Sequence, residues 1–225
     1  MWRGHGLTRG NGEPVLLLPG LFGNDLYLHS ARDWLRRIGY VPVLSSLSWN
    51  AGCPQRLLDQ VASAFARKVS EQTEDITIIG HSRGGLLAKG LVARLGPRVA
   101  RLITVGSPLG GMLRAGREAF SQYTATAQPD QSMARRSVVQ AGRSITRMLD
   151  PDCDPPGCGC DYIDALLAPL PDGLTVTSIY SKTDTIVPWD ACVIDGADNI
   201  EVGGTHSGLM FNREVYANLA VALAN

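Results

Sequence analysis

Four short apolar runs alternate with amphipathic stretches in the first half of the chain. The runs are PVLLLPG (14–20), YVPVLSSL (40–47), DITIIG (75–80) and VARLITVGSP (99–108). Such runs, rich in Val, Ile and Leu and bounded by Pro or Gly, are typical of strands buried on both faces of a parallel sheet. The stretches between them carry apolar residues at helical spacing. This alternation predicts an α/β fold in which helices cover both faces of the sheet.

The alternation stops at residue 109. Residues 112–149 have helical periodicity without an intervening strand, and they lead into the Pro- and Cys-rich segment DPDCDPPGCGCD at 150–161. Strands return at LTVTSIYS (174–181) and NIEVGG (199–204), followed by a helix over REVYANLAVALA. We therefore expect one domain over residues 1–225, with a mostly parallel sheet of about six strands and a helical, lid-like insert at about 109–173.

The composition argues against several classes of partner. Lys plus Arg and Asp plus Glu number 21 each, so there is no overall charge that favours nucleic acid. Hydrophobic residues make up 44%, as in ordinary globular proteins, and no apolar run is long enough to span a bilayer. The opening MWRGHGLTRGNGEP lacks the apolar core of a signal peptide. The sequence as it stands predicts a cytoplasmic protein, with secretion as the alternative if a signal peptide has been removed.

Ser82 lies between two glycines at the junction of the DITII run and the helical LLAKGLVARL. The pattern Gly80-x-Ser82-x-Gly84 in that setting is typical of a nucleophile elbow, a strained turn that holds the hydroxyl above the sheet. Side chains at Gly80 and Gly84 would collide in so tight a turn. The alternative is a helix N-cap, but capping uses ordinary backbone angles and needs no flanking glycines.

A serine nucleophile needs a base that accepts its proton and an acid that orients the base. Of the four histidines, only His206 follows a strand in a loop that can reach Ser82, so we predict it as the base, with local packing as the alternative. Asp184, just beyond the strand at 174–181, is the predicted acid, and Asp190 is the reserve candidate for this role.

Acyl transfer also develops negative charge on the carbonyl oxygen, which requires hydrogen-bond donors already in place. We expect these to be the backbone N–H of Arg83, at a helix N-terminus, and that of Leu21 in the PGLFGN loop. For Leu21, a purely hydrophobic role in the loop is the alternative. The residues that flank the catalytic positions in sequence are predicted to line the acyl site: Phe22, Leu109, Val187 and Met210.

Five segments, LLLPGLFGN, IIGHSRGG, TVGSPLGG, YSKTDTIVP and GGTHSG, together resemble the α/β-hydrolase superfamily. They are most similar to compact bacterial lipases and esterases of the triacylglycerol-lipase type, which have the triad order Ser, Asp, His. The resemblance implies a serine carboxylic ester hydrolase that forms an acyl-enzyme and needs no organic cofactor. It also implies a small-molecule ester or lipid substrate, transient contact with a lipid interface and no obligate protein partner. Some such lipases bind calcium or zinc, but no metal-site residues can be matched here, so no metal is predicted.

Two other functions stay open, namely an acyltransferase or thioesterase that uses the same triad, and a binding protein that has kept the fold.

The state of the cysteines also leaves alternatives. A disulfide from Cys192 to Cys153, Cys158 or Cys160 would tie the insert to the Asp184 loop, whereas free thiols and a zinc site are the alternatives. Cys53 is predicted to be a buried apolar residue or an unpaired thiol.

Overall fold

A parallel sheet forms the centre of the molecule. The computed structural model describes residues 8–116, 133–153 and 161–224. Within them the strands are β1 (Pro14–Leu18), β2 (Val41–Leu44), β3 (Ile76–His81), β4 (Val99–Val105), β5 (Thr175–Tyr180) and β6 (Asp198–Glu201). They pair in parallel in the order β2-β1-β3-β4-β5-β6. The predicted parallel sheet of about six strands is therefore confirmed.

Helices connect these strands and form the insert. They are α1 (His29–Arg37), α2 (Pro54–Ala66), α3 (Arg83–Leu95), α4 (described over 109–116), α5 (Met133–Leu149), α6 (Tyr162–Leu167), α7 (Trp189–Cys192) and α8 (Arg213–Ala224). Among the described helices, none combines the length and apolar character needed to cross a membrane.

Side chains of the central strands point alternately to two helical layers. In β1, Leu16 and Leu18 pack in a core formed with α2, α3 and α6, whereas Val15 and Leu17 pack in a core formed with α1 and α8. All four side chains are completely buried. A strand buried on both faces reads as a continuous apolar run, and this is why PVLLLPG carries no alternating pattern. The predicted helices on both faces are confirmed.

The insert contains one helix that the sequence did not predict. Helix α6 is only six residues long, and it packs against α3 through Tyr162, Ile163 and Leu166, which are almost fully buried. A helix of this length shows too few apolar repeats for periodicity to reveal it. The helical spacing over residues 54–72 predicts a longer helix, but α2 ends at Ala66, because the chain turns there and buries Val69 in the core.

Lys89 is an unusual core residue. It is completely buried in α3, and its Nζ donates to the carbonyl oxygen of Ala165 in α6 at 3.1 Å. Burial lowers the pKa of Lys89 to about 8. Because this value lies below the pKa in the unfolded chain, the charged lysine destabilises the fold at neutral pH, and the penalty disappears as the pH rises through the interval between the two pKa values.

We expect Lys89→Met to gain stability relative to wild type at pH 7 and to lose that relative gain at high pH. The difference in free energy of unfolding between variant and wild type should change by about 3 kcal/mol between pH 7 and pH 10.5. Urea denaturation across this range measures it, with the exposed Lys68→Met as the matched control. A difference in free energy of unfolding that does not depend on pH would contradict the lowered pKa of Lys89.

Candidate active site

Ser82 occupies the sharp turn between β3 and α3. Its backbone angles are φ 53° and ψ −123°, in a region that residues other than glycine rarely adopt. Its N–H donates to the carbonyl oxygen of Val105 in β4 at 2.9 Å, which ties the turn to the sheet. The side chain makes no capping hydrogen bond. The N-cap alternative is therefore wrong, and the turn holds the hydroxyl ready for another partner.

The flanking glycines allow this turn to close. A Cβ atom on Gly80 would lie 2.5 Å from backbone atoms of Gly84, and one on Gly84 would come at least as close to the carbonyl oxygen of Leu18 in β1. Real Cβ atoms do not approach other atoms at such distances. The collision predicted from the sequence is confirmed, so the two glycines let α3 begin directly against the sheet.

Loops after β5 and β6 bring Asp184 and His206 to Ser82. His206 Nε2 lies 2.9 Å from Ser82 Oγ, and His206 Nδ1 lies 2.6 Å from Asp184 Oδ2. The other carboxylate oxygen accepts the N–H groups of Ile186 and Val187 at 2.8 and 2.9 Å. Because Asp184 accepts the proton on Nδ1, Nε2 is left to accept the serine proton.

Asp190, the reserve candidate for the acid, does not join this chain of hydrogen bonds. It lies in the first turn of α7, where its exposed carboxylate accepts the N–H of Ala191 at 3.0 Å. The Asp184 side chain, by contrast, is only 2% exposed. A buried carboxylate that pairs with the histidine ring is the arrangement that orients a catalytic base.

Two rings hold the loop that carries His206. The Nε2 atom of His81 lies 3.1 Å from the carbonyl oxygen of His206, and the Tyr27 hydroxyl donates to the carbonyl oxygen of Ser207 at 2.7 Å. Burial, with a smaller effect of His206, lowers the pKa of His81 to about 3, so its ring is neutral at ordinary pH. Since Nε2 faces an acceptor, it carries the ring proton. The sequence analysis missed both roles, and only the position of His81 next to Ser82 could have suggested one of them.

Two backbone amides beside Ser82 are available to bind an oxyanion. Of the neighbouring amides, that of Phe22 already donates to the carbonyl oxygen of Asn50 at 3.0 Å. Within the described ranges, the amides of Leu21 and Arg83 donate to no backbone acceptor. The loop also lies close to Ser82, because a Cβ atom on Gly20 would be 3.1 Å from Ser82 Cβ. The structure thus leaves the two predicted donors unengaged.

Asn50 braces the loop that carries Leu21, and the sequence analysis missed it. The residue is completely buried, its Nδ2 donates to the carbonyl oxygen of Pro19 at 2.7 Å, and its N–H donates to that of Gly23 at 2.8 Å. With the bond that it accepts from Phe22, Asn50 holds both ends of the loop. No motif marks it, since it lies in an irregular segment after β2.

The side chain of Arg83 binds the segment that contains Asn50 and Gly52. Its guanidinium donates to the carbonyl oxygens of Asn50 at 3.3 Å and Gly52 at 2.7 Å. The amide of Arg83 and its side chain thus have separate tasks, because the first stays available at the helix N-terminus while the second fixes the neighbouring loop.

A cavity of about 510 Å³ opens beside Ser82. Phe22 and Val187 line it, where the sequence analysis placed them. Leu109 and Met210 do not line it, and these two predictions are corrected. Leu109 is completely buried in the core between the sheet and α3, and Met210 packs with α8 on the opposite face of the sheet. Closeness in sequence to a catalytic residue does not determine which way a side chain points.

Helix α5 of the insert covers one side of the cavity, which it lines with Val138, Val139, Gly142, Arg143, Thr146 and Arg147. The chain just after α5 is fixed to the start of α2. Asp150 Oδ2 accepts the N–H of Cys53 at 2.7 Å, and Asp150 Oδ1 pairs with Arg56 at 2.5 Å. A carboxylate is favourable at a helix N-terminus, and α2 has no side-chain cap of its own.

Cys192 is a free thiol, so the predicted disulfide from Cys192 to Cys153, Cys158 or Cys160 is not formed. Cys192 is buried with Tyr180 and Val187, and burial raises the pKa of its thiol to about 12, whereas Cys153 lines the cavity near Asp150. The other two predicted partners, Cys158 and Cys160, lie outside the described residues. Over 8–116, 133–153 and 161–224, no cluster of three His, Cys, Asp or Glu side chains could hold a metal ion.

Comparison with known proteins identifies the family. The sequence profile of palmitoyl protein thioesterases matches residues 14–146, more than half of the chain. The chain belongs to the palmitoyl protein thioesterase family. The matched region includes Ser82 and the Leu21 loop and ends before Asp184 and His206.

This member of the palmitoyl protein thioesterase family is also similar to a triacylglycerol lipase of Pseudomonas fragi. The two are 32% identical over 112 residues, and the match covers 46% of this chain and 37% of the lipase. The chain therefore matches little more than a third of that relative.

Solved structures share the fold of this thioesterase-family protein. One, from work on carboxylesterases of the thaumarchaeon Nitrososphaera gargenis, has a TM-score of 0.61 at 16% identity. The match covers 95% of this chain and 90% of that one. A metagenome-derived lipolytic enzyme has a TM-score of 0.61 at 13% identity, and the match covers 97% of this chain and 96% of that enzyme. Mouse α/β hydrolase domain-containing protein 10 has a TM-score of 0.58 at 17% identity, and the match covers 96% of this chain and 90% of the mouse protein. The predicted α/β-hydrolase fold is confirmed.

Proposed function

We propose that this protein hydrolyses carboxylic esters, with Ser82 as the nucleophile, His206 as the general base and Asp184 as the residue that orients His206. The observation that carries the proposal is the unbroken chain of hydrogen bonds from Asp184 through His206 to Ser82, at 2.6 and 2.9 Å. The strained elbow supports it, because a backbone in a rarely adopted conformation at a polar residue is typical of a functional site.

The geometry supports a two-step reaction. His206 Nε2 accepts the hydroxyl proton while Ser82 Oγ attacks the ester carbonyl carbon, and the resulting oxyanion accepts hydrogen bonds from the amides of Leu21 and Arg83. The C–O bond to the alcohol then breaks, and the alcohol leaves with the proton from His206. Water attacks the acyl-enzyme by the same steps and releases the acid. The apolar lining of the cavity, including Phe22 and Val187, receives the acyl chain.

Hydrolysis of p-nitrophenyl esters from acetate to palmitate tests the reaction, and a fluorophosphonate probe followed by peptide mass spectrometry tests the nucleophile. We expect release of p-nitrophenol from at least one ester and a covalent adduct on Ser82. An adduct on another residue, or no hydrolysis across the whole series, would overturn the proposal.

Hydrolysis of thioesters is the second candidate, and the family to which the chain belongs favours it. The same nucleophile and oxyanion donors can cleave both bonds, since only the leaving group differs. Comparing kcat/KM for a butyryl thioester of N-acetylcysteamine with that for the corresponding oxygen ester decides between the two functions. Adding glycerol to the same assay reveals acyl transfer, because transfer would yield a new ester in place of the free acid.

Exposed aromatic rings near the cavity support the expected transient contact with a lipid interface. Trp49 lies 5.7 Å from Phe22 between ring centroids, and Phe211 lies 5.4 Å from Tyr27. Phe22 and Tyr27 line the cavity, while Trp49 and Phe211 are each more than 40% exposed. Cosedimentation with phosphatidylcholine vesicles tests this contact, and failure to bind would contradict it.

We expect Asn50→Ala to lower kcat by about 10-fold to 100-fold, since the loop that carries the Leu21 amide loses its brace and the oxyanion donor is less well aligned. KM should change little, because the oxyanion forms only after the substrate has bound. Steady-state kinetics with p-nitrophenyl butyrate measures both values. The control is Asn218→Ala, a half-buried asparagine of α8 that also donates to a backbone carbonyl. An effect on KM alone would contradict this role of Asn50.

A further inference from the structure

One part of the cavity follows helix α3 away from Ser82. Leu86, one turn beyond Ser82, lines the cavity, and so does Tyr162 of α6. A Cβ atom on Gly90, one further turn along α3, would lie 3.5 Å from Tyr162 Cε2. The cavity therefore reaches from Ser82 along α3 to the ring of Tyr162. We call the part lined by Leu86, Met112 and Tyr162 the α3 passage.

The Tyr162 ring is held firmly at the far end of the α3 passage. Tyr162 is 2% exposed and belongs to the core that α2, α3 and α6 share. The Cβ atom on Gly90 that would meet Tyr162 would also lie 3.1 Å from Leu58 Cδ2 in α2, so the ring packs against two helices. The bond from Lys89 Nζ to the carbonyl oxygen of Ala165, at 3.1 Å, fixes α6 to α3. A side chain packed in this way is a wall that a ligand does not easily displace.

The reaction determines which part of an ester enters the α3 passage. The alcohol must lie beside His206 Nε2, because this atom supplies the proton with which the alcohol leaves. His206 reaches Ser82 from the loop after β6, whereas the α3 passage extends from Ser82 along α3 towards α6. The acyl chain leaves the carbonyl carbon on the side away from the alcohol. The apolar side chains of Leu86 and Met112 suit a hydrocarbon chain there.

The length of the α3 passage limits the acyl chain. Gly90 lies about two helical turns beyond Ser82, which corresponds to a rise of roughly 12 Å. A fully extended chain advances by about 1.2 Å per covalent bond, a third of the span of one extended residue. About ten bonds therefore fit between Ser82 and the Tyr162 ring. A longer chain has to displace the ring or bend out of the cavity.

We propose that Tyr162 determines the acyl-chain specificity, and that the preferred substrates are esters of medium-chain fatty acids with about eight to ten carbons. The proposal rests on the proposed ester hydrolysis and names the acyl group that the site accepts. Tyr162 acts by its size, since its ring contacts the end of the acyl chain and takes no part in the bond changes.

The first test compares p-nitrophenyl octanoate with p-nitrophenyl palmitate. We expect kcat/KM of wild type to be higher for octanoate by about 10-fold or more, because the excess methylenes of palmitate do not fit. Tyr162→Ala removes the end wall, and we expect it to lower the octanoate-to-palmitate ratio by about 10-fold. Tyr162→Phe is the matched control, since it keeps the ring and should keep the wild-type ratio.

A second variant shortens the α3 passage, and it decides the matter if Tyr162→Ala does not fold. Leu86→Phe places a ring one turn from Ser82, so we expect kcat/KM for p-nitrophenyl octanoate to fall by about 10-fold relative to that for butyrate. Wild type that cleaves palmitate as well as octanoate overturns the proposal. So does an unchanged octanoate-to-butyrate ratio in Leu86→Phe, or an unchanged octanoate-to-palmitate ratio in folded Tyr162→Ala.

Binding provides a measurement that does not depend on turnover. Calorimetry with the Ser82→Ala protein should show that palmitate binds about 10-fold more tightly when Tyr162→Ala is added, whereas octanoate gains no affinity. Equal changes for the two fatty acids would contradict the role of Tyr162. If wild type cleaves none of the p-nitrophenyl esters, the proposed ester hydrolysis has failed, and the binding result still decides whether Tyr162 limits the acyl chain.

Discussion

Ser82→Ala is expected to lower kcat/KM for p-nitrophenyl butyrate by about 10⁵-fold to 10⁶-fold. The reason is that the variant keeps the cavity and the two oxyanion amides but has no atom that can form the acyl-enzyme. His206 then has no hydroxyl from which to take a proton. Steady-state kinetics measures the loss, and the variant should also fail to react with a fluorophosphonate probe.

The matched control for this variant is Ser70→Ala, an exposed serine in the turn after α2. It removes the same hydroxyl from a position without catalytic geometry, so its rate should equal that of wild type. If Ser82→Ala kept most of its ester hydrolysis, another nucleophile would be at work and the proposed mechanism would be wrong.

Asp184→Asn is expected to lower kcat by about 10⁴-fold. An amide of the same shape can donate a proton to His206 Nδ1, which favours the tautomer whose Nε2 carries hydrogen and cannot accept the serine proton. The buried carboxylate also stabilises the imidazolium that forms during the reaction, and the neutral amide does so less well. Pre-steady-state kinetics with p-nitrophenyl butyrate would show that acylation and deacylation both slow, because each step uses His206 as the base.

Asp190→Asn provides the control in the same loop region, because Asp190 is exposed and its carboxylate contacts only a neighbouring amide among the described groups. We expect wild-type kinetics from it. A large loss in Asp190→Asn combined with a small one in Asp184→Asn would transfer the role of the acid to Asp190 and contradict the hydrogen-bond geometry.

Most of the sheet could be predicted from the sequence because its central strands are largely buried on both faces. In β1 a continuous apolar run is the direct result of this burial, and β3 and β4 are mostly apolar for the same reason. Helix α6 could not be predicted in the same way, since what stabilises its six residues is contact with α3, which is distant in sequence.

The three residues of the proposed triad could also be predicted, because the chemistry restricts both their types and their order along the chain. The cavity lining could be predicted only in part. Phe22 and Val187 point into the cavity, whereas Leu109 and Met210 point into the two cores, and nothing local distinguishes these cases. Asn50 was missed for a related reason, since its importance comes from contacts between two irregular loops.

The carboxylate of Asp150 has a consequence for exchanging parts between related proteins. The residue follows α5, yet its carboxylate binds the amide of Cys53, just before α2, and the side chain of Arg56 in the first turn of α2, so two segments almost a hundred residues apart share one stabilising group. The insert therefore cannot be exchanged without affecting the start of α2. A chimaera that replaced it with the corresponding segment of a related protein would leave the amide of Cys53 without its acceptor, unless the new segment also ended in an acidic side chain at this place.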